Sequence, residues 1–266
     1  YRGGAYDGWQ SQPSGNTVQD KLERALAQFT TLPSVHTLCA GRTDAGVHAT
    51  AQVAHIDLSA AQLKRLGRSV GMVGKLNDLL PTDIRIHSVT EAPKGFDARF
   101  SASYRRYRYR ISDGASTKNP LKARYTLWLN HELDLLAMKA ASLELFGMHD
   151  FASFCRRKPN ATTIREVRDI QIRRNPGEEN IVEVELLADA FCHNMVRSIV
   201  GALIAAGEGK ASPDDVAEKL AKRTRVGSYK VQPAQGLTLI EIGYPADDEL
   251  EAQAERARNM RTLDEN

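Results

Sequence analysis

Within Gly41-Arg42-Thr43-Asp44-Ala45-Gly46-Val47-His48, a cation, a hydroxyl and a carboxylate stand in three consecutive positions between two glycines. A carboxylate on a turn can act as a base or as a nucleophile. Arg42, two residues from Asp44, would favour the ionised form. The same residue types also make an ordinary turn, because Asp and Gly are turn formers. An exposed Arg beside an Asp contributes little by itself. Spacing alone therefore leaves catalysis and plain turn chemistry both open.

Four other places offer chemistry. Tyr104–Ile111 alternates, so that Tyr107, Tyr109 and Ile111 share one strand face and Arg106, Arg108 and Arg110 the other. Read blandly, this is a strand with rings in the core and arginines in water. Read functionally, Tyr107 stacks on a nucleobase beside cations that meet phosphates, while Tyr109 packs in the core. Arg197 interrupts an apolar helix, and a charge at such a position is costly unless paired. A structural ion pair would satisfy it, and so would Asp44. Arg156-Arg157-Lys158 and the cluster Lys222, Arg223, Arg225 and Lys230 are further basic patches.

The elements that must hold these residues can be read from pattern. Val35–Cys39 and Gln52–Asp57 are short strands flanking the Asp44 loop. Gly3, Gly4 and Gly8 exclude a stable helix near the start, leaving a loop with Tyr6 and Trp9 packed inward or lining a cleft. Thr17 with Asp20 opens a helix ended by Pro33, and Ser59 with Gln62 opens a second. An irregular helix runs to Pro81, and Ile84–Val89 is a strand. Residues 112–132 form a loop with Pro120, and Asp134 caps a helix through Phe146. Ile164–Arg173 and Ile181–Ala188 are strands joined at Asn175-Pro176-Gly177, with Glu183 and Glu185 on a half-exposed face. Phe191–Gly207 is a largely buried helix. Ser212-Pro213 starts another, and Leu237–Ile242 is a final strand. The order gives an α+β protein with two similar halves: 1–100 with the Asp44 loop, 101–246, and a charged tail 247–266 that is solvated or disordered.

Composition sets the class. The chain has 266 residues, 42% hydrophobic and 26% charged, as expected for one large or two small globular domains. No apolar run reaches the roughly 18 residues of a membrane span. Three cysteines without a CxxC argue against a disulfide framework and fit a reducing cytoplasm. Cys192-His193 lacks a second ligand pair for a metal. Residues 247–266 carry seven carboxylates against three arginines, a net −4, so the remainder of the +3 chain is +7. A basic body points to a polyanionic partner.

Several motifs together resemble one family, the tRNA pseudouridine synthase A family. They are Tyr1-x-Gly3-x-x-Tyr6-x-Gly8-Trp9-Gln10, GRTDAGVHA from Gly41 to Ala49 and FDARFSA from Phe96 to Ala102. RRYRY from Arg105, MVRSIVG from Met195 to Gly201 and GLTLIEIGYP from Gly236 follow in order. The resemblance implies isomerisation of uridines 38, 39 and 40 in the tRNA anticodon stem-loop to pseudouridine. It implies Asp44 as the essential catalytic residue and Tyr107 as the ring stacking on the target base. Arg197 is then the partner of Asp44, Leu237 the apolar residue under the base, and Arg42 an aid to entry of the flipped nucleotide. It further implies two α+β halves forming one mixed or antiparallel sheet flanked by helices, with the active-site cleft between them. A cytoplasmic homodimer acting on tRNA, with no cofactor, metal or membrane, completes the expectation. The family has a strand before the first motif, whereas this chain opens on Tyr1; the functional protein is expected to be longer. A natural product with an intact mass of 29.4 kDa would contradict that. Two rivals are a non-catalytic RNA-binding module and a metal-dependent hydrolase using Asp44, His48 and His55.

Overall fold

A computed structural model describes residues 1–66, 71–157, 161–227, 229–259 and 262–263. Lys158 of the second basic patch lies outside the described residues. The chain forms two compact units, Tyr1–Ser103 with Ile242–Arg258, and Tyr104–Glu241 with Asn259–Asn266.

The first unit contains α1 (Val18–Thr30), β1 (Leu38–Cys39), β2 (His48–Ala49), β3 (Ala54–His55), α2 (Ala60–Leu66) and α3 (Met72–Leu79). Thr17 and Asp20 cap α1 reciprocally, as their spacing requires. Ser59 and Gln62 do the same for α2. β1 and β3 pair antiparallel, with Leu38 opposite His55 and Cys39 opposite Ala54. Trp9, Val18, Ala25, Cys39, Leu80 and Ile84 form the core. The strand expected over Ile84–Val89 does not form. Asn77 takes the place of a neighbouring strand: its Oδ1 accepts the Ile86 N–H at 2.8 Å and its Nδ2 donates to the Ile86 carbonyl at 2.9 Å. Part of the acidic tail is helical and packed rather than solvated. Its helix (α7, Leu250–Arg258) buries Leu250 and Ala254, and Arg258 lies over the Phe100 ring at 4.9 Å.

The second unit contains β4 (Tyr104–Ser112), β5 (Leu127–Trp128), α4 (Leu135–Ser142), β6 (Gly147–Asp150), β7 (Ile164–Asn175), β8 (Ile181–Ala188), α5 (Met195–Gly207), α6 (Pro213–Ala221) and most of β9 (Leu237–Gly243). Its strands lie in the order β9-β4-β8-β7-β6, with β5 on β4. The β4–β8, β8–β7 and β7–β6 pairs are antiparallel and β4–β5 is parallel, so the sheet is mixed and flanked by helices. Tyr109, Ile111, Val182, Val184 and Leu186 are fully buried on one face. α5 starts at Met195 rather than Phe191, because Asn194 takes the left-handed conformation with φ 68°.

The opposite face differs from expectation. Glu183 is 1% and Glu185 6% exposed, not half-exposed. The arginines of β4 lie across them: Arg108 reaches Glu185 at 2.8 Å and Arg110 reaches Glu183 at 3.4 Å. Arg106 bridges Asp169 and Glu241, and Arg173 bridges Glu183 and Glu185. Four arginines thus meet four carboxylates. These cations neutralise carboxylates of their own sheet rather than standing alone in water. Their long stems cover the carboxylates from water.

A second correction concerns the cysteines. Cys155 and Cys192 are joined as a disulfide, with Cα atoms 5.7 Å apart. Separation by 37 residues hid this, but the β7–β8 hairpin returns the chain to its starting point. The Arg156 N–H donating to the His193 carbonyl at 2.9 Å ties the same two segments together.

Candidate active site

The Asp44 loop and the first ten residues are one interlocked piece. The Trp9 N–H donates to the Thr43 carbonyl at 3.0 Å and the Gly46 N–H to the Tyr6 carbonyl at 3.3 Å. The Tyr1 amino group and the Ala49 N–H each donate to the other residue's carbonyl. Tyr1 and Thr43 share a hydroxyl hydrogen bond of 2.7 Å. The Gln52 carboxamide closes the base of the loop by accepting from Gly41 N–H and donating to Gly41 O.

Asp44 itself opens a tight turn, in which its carbonyl accepts the Val47 N–H at 3.1 Å. Gly46 supplies the positive φ of 81° that this turn needs. The glycines of the first motif have a steric cause as well. A Cβ on Gly3 would stand 1.8 Å from the Val47 carbonyl oxygen, and one on Gly8 2.8 Å from that of Thr43. The side chain of Asp44 is half-buried and that of Arg42 exposed. Nearby, burial pushes the Cys39 thiol up to about 11, against the pull of Arg42 and Arg99. Burial, and then the charge of Arg42, lowers the Arg99 guanidinium. Arg99 therefore adds a second cation to the surroundings of Arg42.

In the second unit, one strap, residues 229–237, ties Arg197 to Tyr109 of β4 and leads into Leu237. Arg197 lies in the first turn of α5. Its Nε donates to the Gln232 carbonyl at 2.6 Å, and the Gln232 N–H donates to the Arg197 carbonyl at 3.2 Å. One turn later, Gly201 lets the strap approach: a Cβ there would be 2.1 Å from the Lys230 oxygen. The Tyr109 hydroxyl donates to the Pro233 carbonyl at 2.8 Å. Burial pushes that phenol up, partly offset by the charge of Arg197. A Cβ on Gly236 would enter the Tyr109 ring at 2.6 Å. Leu237 then starts β9 beside β4, and is 5% exposed.

Tyr107 is 7% exposed and meets the edge of Phe191, with centroids 5.1 Å apart and planes at 86°. Sequence reasoning missed Phe191 and Gln232. Phe191 precedes MVRSIVG by four residues and Gln232 precedes GLTLIEIGYP by four, and only this closeness to the motifs signalled them. Arg42 and Asp44 belong to the first unit, and Tyr107, Arg197 and Leu237 to the second.

The histidines proposed as metal ligands have other work. His48 Nδ1 accepts the Gly3 N–H at 3.0 Å, and His55 Nδ1 accepts the Ala98 N–H at 3.0 Å. His48 joins the first two motifs, and His55 ties β3 to the FDARFSA segment. Among the described residues, no three His, Cys, Asp or Glu side chains are grouped to hold a metal ion. No helix among them is long and apolar enough to cross a membrane.

Comparison with known proteins gives a consistent result. Residues 141–245 match a family described as tRNA pseudouridine synthase. A tRNA pseudouridine synthase A of Leifsonia xyli subsp. xyli is 44% identical over 279 residues, covering 99% of this chain and 96% of the relative. One of Frankia casuarinae is 47% identical over 261 residues, with 98% and 93% covered. One of Streptomyces avermitilis is 44% identical over 271 residues, with 99% and 92% covered.

Proposed function

Because the chain belongs to the tRNA pseudouridine synthase A family, we propose that it isomerises uridines 38, 39 and 40 of the tRNA anticodon stem-loop to pseudouridine. The bond from ribose C1′ to uracil N1 breaks and one from C1′ to C5 forms. The C5 proton leaves and N1 gains one. Nothing is oxidised or reduced, so the reaction calls for no redox cofactor and no nucleotide energy. Asp44 supplies the reacting carboxylate, either by attack on the sugar or ring or as base at C2′.

The observation that carries this reading is the interlock that fixes Asp44. Ten residues from the chain start and a glutamine hold one tight turn from both sides, which is how a reacting group is kept within the tolerance chemistry needs. On the same reading, Arg197 serves as the cationic partner of Asp44. Tyr107 stacks on the extruded uracil, offsetting part of the few kcal/mol that unstacking costs. Leu237 lies under the base and Arg42 guides the flipped nucleotide. The enzyme works on tRNA as a homodimer.

The test is Asp44→Asn assayed with tRNA tritiated at uridine C5, which releases label when C5 bonds to ribose. Normal tRNA binding without tritium release is expected. Normal release by the variant would remove Asp44 from the chemistry and with it this reading.

A further inference from the structure

A cavity of about 250 Å³ opens beside α6 in the second unit, among Lys210, Lys219, Lys222, Gly227 and Tyr229. Lys219 is 8% exposed. Its ammonium donates to the Val226 carbonyl at 2.5 Å and, among the described residues, meets no carboxylate. Its stem is packed and fixes the ammonium at the cavity wall. Partial burial first, and the Lys222 charge second, disfavour its charged form and lower its pKa, and no carboxylate there offsets either.

The carboxylates at the cavity do not offset this. Asp215 is committed to the Ser212 N–H and hydroxyl as the cap of α6. Glu218 pairs with Lys222 at 2.5 Å, with both side chains more than half exposed. Lys210, 70% exposed, pairs with Glu208 at 2.6 Å. Exposed pairs of this kind contribute little and exchange readily for a stronger anion. The Tyr229 ring forms a firm wall, stacked on Phe154 with centroids 6.5 Å apart and planes at 19°. From Tyr229 the chain continues directly through Lys230, packed on Gly201, to Gln232, which holds Arg197.

We propose that this lysine cavity is a phosphate-binding subsite for the tRNA backbone, set apart from the contacts to the target base. A backbone phosphodiester supplies the anion that Lys219 lacks, with Lys210 and Lys222 closing on its oxygens from the rim. The strap that begins at the cavity then registers the RNA against Arg197. The choice of tRNA as the source of the phosphate rests on the pseudouridylation reading above.

The experiment measures tRNA binding to the full chain from 50 to 400 mM KCl, roughly the range over which phosphate contacts are resolved. Lys219→Met keeps the stem and removes the charge. Its slope of log affinity against log salt is expected to fall by about 0.9, the value of one phosphate contact, with affinity about three- to tenfold weaker near 100 mM. Lys210→Gln, at an exposed rim position that does not endanger folding, is expected to lose a smaller part of the slope. Unchanged slopes in both variants would overturn the proposal. So would inorganic phosphate raising the wild-type melting temperature but not that of Lys219→Met while the tRNA slopes stay equal, since that marks a site for a small phosphorylated ligand. Loss of slope in the variants alongside a wild-type protein that releases no tritium would support the subsite and sink only the pseudouridylation reading.

Discussion

The two units hold their candidate residues by different means. In the first, the main chain does the work: the Asp44 turn is fixed by backbone hydrogen bonds to residues 1–9, and glycines let the two strands of chain touch. In the second, side chains do most of it: a guanidinium on a carbonyl, a phenol on a carbonyl and one ring edge against another. A position set by main chain is intolerant of added volume and indifferent to most side-chain chemistry. A position set by side chains responds in small steps to each group removed.

The most severe way to break the contrast is to add one carbon to the interlock. Gly3→Ala drives a Cβ to 1.8 Å from a carbonyl oxygen, whereas at Gly4 a Cβ meets nothing within 4 Å. Backbone against backbone leaves no side chain to yield, so the cost should exceed the 1–3 kcal/mol of ordinary overpacking, at ~4 kcal/mol. Tritium release should vanish in Gly3→Ala and stay normal in Gly4→Ala, with urea unfolding measured on both. Gly201→Ala is the equivalent in the second unit, with a Cβ 2.1 Å from Lys230 O. It shifts the strap that holds Arg197 by an ångström or so, and turnover should fall on the order of 100-fold. Equal stability and activity for Gly3→Ala and Gly4→Ala would show that the interlock does not position Asp44.

Next in size is the cross-link. A disulfide closing a 37-residue separation removes about 3.8 kcal/mol of denatured-state entropy in the chain-closure account. Cys155→Ser should lose that much in urea unfolding, reductant should lower the wild type equally, and reductant should leave Cys155→Ser unmoved. Insensitivity of the wild type to reductant would refute a stabilising role.

Acid distinguishes the units themselves. Burial pushes the Asp113 carboxyl up, but two bonds from Arg174 and one from the Leu133 N–H outweigh it and hold it down at about 2. Glu183 is raised by burial and lowered further by Arg173 and Arg108, with a net fall. Glu179, Glu208, Asp215 and Glu241 are also held low in the second unit, against Asp20 alone in the first. A carboxyl whose folded pKa is depressed stabilises the fold above its unfolded value and loses that contribution as pH falls through the folded one. Stability of the second unit should therefore decline from about pH 4.5 toward pH 2, ahead of the first. The two tryptophans report separately: Trp9 in a Trp128→Phe protein follows the first unit, and Trp128 in Trp9→Phe follows the second. Coincident transitions would erase the distinction.

These differences also explain what could be read in the sequence. Caps and alternation were legible because they are local: Thr17 with Asp20, Ser59 with Gln62, and Tyr107, Tyr109 and Ile111 on one face. The strand over Ile84–Val89 misled because a lone carboxamide, Asn77, supplies the hydrogen bonds that a neighbouring strand would have made. Glu183 and Glu185 misled because alternation reports which residues share a face, not what covers it. The Cys155–Cys192 bond is set by a hairpin's return, which spacing does not encode. Asp44 stood out by its company of Gly, Arg and Thr. The reason for Gly3 and Gly8 appeared only once the opposing carbonyls were in place.

The smallest expected effect lies where side chains position side chains. Phe191 presents a ring edge to Tyr107 at 86°, and such a pair contributes about 0.5–1.5 kcal/mol beyond its buried area. Phe191→Leu keeps the apolar volume and removes the edge contact, so kcat/KM should fall by roughly fivefold, equivalent to ~1 kcal/mol. Phe191→Tyr keeps the ring and should restore most of the rate. A purely space-filling role predicts the reverse, since leucine would then be tolerated and the added hydroxyl would not. Phe191→Leu matching wild type would mean that Tyr107 is oriented by something other than this ring.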